Sequence, residues 1–79
     1  MSTLTIGRFI YKDRNETFGQ RLKRIRKAKK LTQTALANKV GVTPQYIHLW
    51  ESEKYRPSLQ MFEWLCKALD VTASELLGF

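Results

Sequence analysis

The residues that could carry chemistry are few in this chain. Its 79 residues include one histidine, His48, and one cysteine, Cys66. A structural zinc site needs several His or Cys ligands, and nucleophilic catalysis needs a nucleophile beside a base. A disulfide framework needs more than one cysteine. These counts argue against an enzyme, a secreted disulfide scaffold and a metal site, and we expect no cofactor and no small-molecule substrate.

The charged residues instead point to a binding partner. Fourteen Lys and Arg against seven Asp and Glu give a formal net charge of +7. Residues 17–30 contain seven basic side chains and no acidic one, whereas residues 57–79 carry a net negative charge. A charge distribution this uneven attracts a polyanion to one end of the domain. The alternative is a solvated basic helix face without a partner.

The apolar pattern predicts the elements that must position these groups. It indicates an all-α fold of five helices over residues 17–79, with Gly41 in the left-handed position that ends the second helix. The helix starts are marked by Thr17, Thr32, Thr43-Pro44, Pro57-Ser58 and Thr72. The inward residues expected on the fourth helix are Leu59, Phe62, Leu65, Cys66 and Leu69.

Residues 1–16 do not fit this pattern and are predicted to form a separate N-terminal extension. Residues 3–11 are rich in β-branched and aromatic side chains, which fits either a short strand or a flexible arm. No apolar run approaches the roughly 20 residues needed to span a bilayer, and no charged-then-apolar leader begins the chain. We therefore expect a cytoplasmic protein that does not act at a membrane.

Residues 32–51 hold the most informative pattern. Two short helices are separated by Gly41-Val42, with Ala37 where the helices must approach closely. Val42 and Ile47 are apolar where the crossing has to be filled. A short turn between two helices that pack closely is the physical specification of a helix-turn-helix.

From residue 18 to residue 77 the sequence also resembles a known family, the helix-turn-helix domains of the phage lambda and 434 repressors and Cro (XRE type). The resemblance rests on FGxRLKxIRK in the first helix, LTQ at the start of the second, the AxxVGV turn, IxxWE at the end of the third, and RPSL and LCKALDV around the fourth. It implies a compact five-helix domain whose third helix, about residues 43–52, enters the DNA major groove. It further implies a bacterial or phage transcriptional regulator of the repressor type, which binds double-stranded DNA at the nucleoid as a homodimer.

The resemblance implies roles for individual residues of the third helix. The positions that match base readers are Gln45, Leu49, Pro44 and His48. Gln45 can pair bidentately with adenine, and Leu49 could meet a thymine methyl group or be an ordinary surface leucine. The positions that match phosphate contacts are Gln33, Thr43, Tyr46, Lys54, Tyr55 and Arg56. Tyr46 could alternatively pack on the second helix, Gln33 could brace the third helix or lie exposed, and Thr43 could also cap the third helix.

Two other assignments are structural. Similar proteins pair the residues that match Arg26 and Glu51, so we expect an ion pair between the first and third helices. Glu53 stands where relatives usually have glycine, which predicts a cost of about 1 kcal/mol or a redirected loop.

The fourth helix also departs from the family, because Trp64 adds an apolar stripe with Met61 and Ala68. Aromatic residues of the extension (Phe9, Ile10 and Tyr11) could cover this stripe, or it could meet a second copy. The candidate residues for a dimer seam are Trp64, Leu76, Leu77 and Phe79, unless the C-terminal ones simply close the core.

Two alternatives to a repressor remain open from the sequence. An antitoxin would bind DNA and also a small toxic protein partner, through the extension or the Trp64 stripe. A protein-interaction or RNA-binding module with the same fold would show no preference among DNA duplexes.

Overall fold

The computed structural model describes residues 16–78, which form five α-helices. The helices are α1 (Phe18–Ala28), α2 (Gln33–Val40), α3 (Pro44–Glu51), α4 (Leu59–Leu69) and α5 (Ala73–Leu77). The described residues contain no strand, so the predicted all-α fold with five helices is confirmed. The predicted extension lies outside the described residues except for Glu16. No helix in the described range is long and apolar enough to cross a membrane.

Side-chain hydroxyls begin four of the five helices. Thr17 accepts a hydrogen bond from the Gln20 amide at 3.1 Å, and the Gln20 side chain accepts one from the Thr17 amide at 3.0 Å, which completes a capping box. Thr32, Ser58 and Thr72 likewise accept hydrogen bonds from amides in the first turns of α2, α4 and α5. These bonds satisfy donors that a helix start would otherwise leave unpaired.

The start of α3 differs from the other four. Thr43 is its N-cap residue, but the Thr43 side chain makes no capping hydrogen bond. Thr43 therefore occupies the predicted capping position, but its side chain does not make a capping hydrogen bond. Pro44 at the first helical position has no N–H that needs a partner and a φ already suited to a helix, so α3 begins without a side-chain cap.

The end of α3 is built with a non-glycine residue in the left-handed region. Glu53 has a φ of 66°, and its amide donates to the Trp50 carbonyl at 3.3 Å. The Lys54 amide donates to the Leu49 carbonyl at 3.0 Å. This pair of bonds is the Schellman motif, whose left-handed position usually holds glycine. The loop therefore keeps the usual turn geometry with a glutamate at this position.

The five helices enclose one core. Helix α2 packs against α3 and α4, and α1 packs against α3 and α5. The largest fully buried side chains are Trp50, Leu22, Leu36, Ile47, Leu65, Leu69 and Leu76. Ala37 is also fully buried, where the close approach of the helix-turn-helix requires a small residue.

Two expectations about apolar residues were wrong. Leu76 is 0% exposed because it closes the core from α5, so it does not belong among the candidates for a dimer seam. Leu59 was expected to face inward but is 75% exposed. It is the first residue of α4, one turn before Phe62, which is the first residue of that face to pack against the core.

Candidate nucleic-acid interface

Helix α3 has two faces of opposite character. Ile47 and Trp50 are buried in the core, whereas Gln45 and His48 are exposed. Pro44 and Tyr46 are also exposed, and Leu49 is half-buried. The outward face therefore presents an amide, an imidazole and a phenol. These polar groups are displayed on a helix whose other side is fixed by packing.

A buried ion pair holds α3 against α1. Arg26 Nε lies 2.6 Å from Glu51 Oε2, and Arg26 Nη2 lies 3.1 Å from Glu51 Oε1. The two side chains are 8% and 5% exposed. Arg26 Nη1 also donates to the Leu31 carbonyl at 2.9 Å. A bidentate, charge-assisted contact of this kind fixes direction as well as distance, so it sets the angle of α3 relative to α1.

Gln33 joins the same network from α2. Its Nε2 donates to Glu51 Oε1 at 3.1 Å, and the residue is half-buried. The carboxylate of Glu51 therefore receives bonds from two other helices. Gln33 braces α3, which is one of the roles proposed for it from the sequence.

Tyr46 contacts Trp50 of its own helix. Its ring centroid lies 5.9 Å from that of Trp50, one turn further along α3, and the planes are tilted by 36°. This separation is typical of favourable aromatic pairs. The phenol ring therefore rests on the core tryptophan while the residue remains exposed.

The loop after α3 displays its side chains to solvent. Lys54, Tyr55 and Arg56 are all exposed. The Leu49 carbonyl accepts hydrogen bonds from two amides of this loop, that of Lys54 at 3.0 Å and that of Tyr55 at 3.3 Å. These bonds hold the loop backbone against the end of α3, so two cations and a phenol stand beside the polar face of that helix.

One basic residue near this face was not singled out from the sequence. Lys23 of α1 lines a shallow cleft with Gln33, His48, Glu51 and Ser52. The cleft has a volume of about 120 Å³. Lys23 lies in the basic run over residues 17–30, but charge alone does not distinguish it from the six other cations there. Its position beside His48 depends on how α1 crosses α3.

A second exposed surface is apolar. Leu59 and Leu77, 75% and 43% exposed, border a groove of about 250 Å³. The groove is also lined by Phe18, Pro57, Phe62 and the Arg56 side chain. Arg56 therefore belongs to both the basic loop and this groove. We refer to this surface as the α4–α5 groove.

Trp64, another candidate for a dimer seam, lies elsewhere. Trp64 is 40% exposed and lines a separate, more open hollow with Lys39, Val40, Lys67 and Ala68. It is thus not part of the α4–α5 groove. Phe79 lies outside the described residues.

Cys66 and His48 lie apart from any metal-ligand cluster in the part of the chain that the structure describes. Cys66 is half-buried in α4, and burial raises the pKa of its thiol, so it stays protonated at neutral pH. Over residues 16–78 no three His, Cys, Asp or Glu side chains form a cluster that could hold a metal ion.

The sequence is similar to those of known regulatory proteins. The immunity repressor protein of Bacillus phage phi105 is 42% identical over 62 residues, which cover 78% of this chain and 43% of that protein. The transcriptional activator BcrR of Enterococcus faecalis is 37% identical over 61 residues, which cover 77% of this chain and 30% of BcrR. The chain thus spans less than half the length of either relative.

A solved structure also has a similar fold. The P22 c2 repressor in complex with a synthetic operator aligns with a TM-score of 0.75 at 33% identity, over 80% of this chain and 96% of that chain. These similarities confirm the resemblance to phage repressor domains. A helix-turn-helix family model matches residues 22–76, from the core leucine of α1 to that of α5. Because this match includes the whole arrangement that holds α3, the chain belongs to the helix-turn-helix family.

Proposed function

We propose that this domain binds double-stranded DNA in a sequence-specific manner and regulates transcription, most directly as a repressor. The observation that carries the proposal is the fixed presentation of α3. Its inner face is held by the core and by the Arg26–Glu51–Gln33 network, and its outer face is polar and exposed beside a basic loop. An α-helix fits the major groove, where base edges carry a distinct pattern of donors and acceptors.

Base recognition falls to the exposed face of α3. Gln45, in its first turn, has an exposed side-chain amide that can pair with adenine N6 and N7. His48 lies on the same face and can donate to a guanine or a phosphate. Pro44 and the half-buried Leu49 can contribute apolar contact with a thymine methyl group. Gln45 is therefore the residue we expect to carry most of the sequence preference.

Phosphate binding falls to the rim around that face. Lys54, Tyr55 and Arg56 follow α3, and Thr43 and Tyr46 lie near its start. The Thr43 hydroxyl makes no capping bond, which is compatible with a phosphate contact. Gln33 and Lys23 border the cleft beside His48, and Lys23 adds a cation there. Such contacts supply affinity and register, and they make binding depend on salt.

We propose that the domain acts as a homodimer that meets through the α4–α5 groove. One recognition helix contacts only about four or five base pairs, which is too few for specificity in a genome. Leu59 and Leu77 expose apolar surface that a second copy would bury. Arg56 belongs to the basic loop and also lines this groove. A dimer seam at the groove would therefore bring the basic loops of the two copies close together on one face of the duplex.

Selection of bound sequences from a random duplex library, at about 150 mM salt, tests the proposal. An enriched inverted repeat with half-sites about one helical turn apart is the expected result. The Leu59→Ser variant should retain the half-site and lose the requirement for the repeat. Salt-sensitive binding without any enriched sequence would contradict the proposal and favour the protein-interaction or RNA-binding alternative.

A further inference from the structure

The loop that carries the proposed phosphate contacts is tied to α1 by the Glu53 side chain. Glu53 Oε2 accepts a hydrogen bond from the backbone amide of Gly19. The two residues are 34 positions apart in the sequence. Glu53 is followed directly by Lys54, so the bond anchors the loop at the residue where its cations begin.

The Gly19 amide is a donor that α1 itself leaves unpaired. The hydroxyl of Thr17 is used by the Gln20 amide, and the first turn of α1 has no acidic residue. Amides at a helix start lack intrahelical acceptors, and a carboxylate there is favoured by the helix dipole. Glu53 therefore supplies from outside the helix what the sequence of α1 lacks.

Gly19 packs closely against the backbone of Glu51 and the side chain of Glu53. Gly19 is buried, and a Cβ built on it would overlap the carbonyl oxygen of Glu51 and the carboxylate of Glu53. The start of α1 thus lies directly against the end of α3. Only a residue without a side chain lets the two backbones approach in this way.

Glu53 occupies its position against the preference of its backbone. With a φ of 66° it lies in the left-handed region, which glycine adopts at lower cost. A glutamate without a use here would carry that cost and would also place a negative charge beside Lys54 and Arg56. The hydrogen bond from the Gly19 amide directs this charge toward the start of α1.

We propose that Glu53 is a positioning residue for DNA binding, which rests on the function proposed above. Its carboxylate fixes the loop so that Lys54 and Arg56 face the phosphates together. It acts through these neighbours and does not itself contact DNA. The proposal concerns order in the loop and not the stability of the domain, so the two must be measured separately.

Three substitutions that remove the same negative charge provide the test. Glu53→Gln retains an acceptor that can reach the Gly19 amide, whereas Glu53→Ala has none. Glu53→Gly also has none, but it relieves the backbone at this position. Thermal unfolding of each variant is compared with its affinity for the selected operator at several salt concentrations, well below every unfolding midpoint.

The proposal predicts a specific order of DNA affinities and unfolding temperatures among the three variants. Glu53→Gln should bind as the original chain does or more tightly, because it keeps the bond and loses a charge that repels phosphate. Glu53→Ala and Glu53→Gly should both bind about threefold to tenfold more weakly than Glu53→Gln, the range that losing one hydrogen bond produces. Their salt dependence should be shallower by about one phosphate contact. Glu53→Gly should nevertheless unfold at a higher temperature than Glu53→Ala.

Other patterns overturn the proposal. If all three variants bind equally, only the charge of Glu53 matters. If affinity follows thermal stability across the three, the role is structural. Glu63→Gln on α4 is the control for charge, and it should bind like the original chain. Failure of the original chain to bind any duplex would instead contradict the proposed function, so the two failures can be distinguished.

Discussion

The inner face of α3 consists of residues that contact the rest of the domain, whereas its outer face consists of polar residues exposed to solvent. On the inner face, Trp50 and Ile47 fill the core, and Glu51 is bound by Arg26 and Gln33. On the outer face, Gln45 and His48 are exposed. The inner face is explained by contacts within the domain. The exposed residues of the outer face are explained only by a partner outside the domain. Neighbouring residues of one helix therefore serve stability on one face and recognition on the other.

This comparison predicts two kinds of mutant. Changes on the inner face should lower the free energy of unfolding and affect DNA binding only indirectly, through unfolding or through the angle of α3. Changes on the outer face should alter binding while the free energy of unfolding stays within about 0.5 kcal/mol of the original, as is usual for surface positions.

The largest effect is expected at the ion pair. Glu51→Ala leaves the buried Arg26 guanidinium without its carboxylate, which should cost about 3–5 kcal/mol of unfolding free energy. Unfolding in urea, followed by circular dichroism, measures it. Glu63→Ala removes the same charge from the exposed surface of α4 and is the control. A Glu51→Ala chain as stable as that control would mean that the inner face is not held by this pair.

The next effect concerns the outer face. Gln45→Ala should relax the preference at one base pair of each half-site by about 1–3 kcal/mol, because the bidentate amide contact is lost. Selection from a random library, repeated with this variant, measures the change at each position. The free energy of unfolding should not move. An unchanged preferred sequence would remove Gln45 from the base-reading residues.

The same division explains what the sequence could predict. Thr17, Thr32 and Thr72 were identified as helix starts because capping depends on residues three apart, which a sequence displays directly. The Arg26–Glu51 pair followed from resemblance to a family, and the structure contains it. Local pattern and family likeness together therefore predicted the five helices and the residues that hold α3.

What could not be predicted depends on contacts between distant residues. The periodicity of α4 does not show that its first residue, Leu59, lies beyond the core. The sequence of α5 likewise does not show that Leu76 is fully buried. Likewise, the hydrogen bond from Gly19 to Glu53 joins positions with no local relation. Such features follow from how the helices cross, and this geometry is not encoded in any short window of sequence.

A smaller effect is expected in the basic loop. Lys54→Ala should weaken binding to all duplexes alike and lower the slope of log affinity against log salt by about one. Binding measured at several salt concentrations, with the selected operator and a scrambled duplex, gives both numbers. Lys67→Ala, a lysine on α4, is the matched control and should leave the slope unchanged. Loss of sequence preference in Lys54→Ala would show that this residue reads bases.

The smallest effect concerns the start of α1 and depends on pH. Arg24 donates hydrogen bonds to the Glu16 carboxylate at 2.7 and 3.0 Å, and this contact holds the pKa of Glu16 below its ordinary value of 4.5. A carboxyl whose pKa is lower in the folded chain stabilises it above the unfolded pKa. That contribution is lost as the pH falls through the folded pKa. Glu16→Gln should therefore be less stable than the original at neutral pH, and the difference should disappear in acid.

Unfolding in urea at a series of pH values from neutral to acid measures this convergence. A gap between the two chains that stays constant with pH would mean that the Glu16 carboxylate contributes by packing and not by charge. The operator selected by Glu16→Gln should be the original one, because Glu16 lies before α1 and not on the outer face of α3. A change in that operator would show that recognition extends beyond α3 to the start of α1, and the separation of the two faces would then fail.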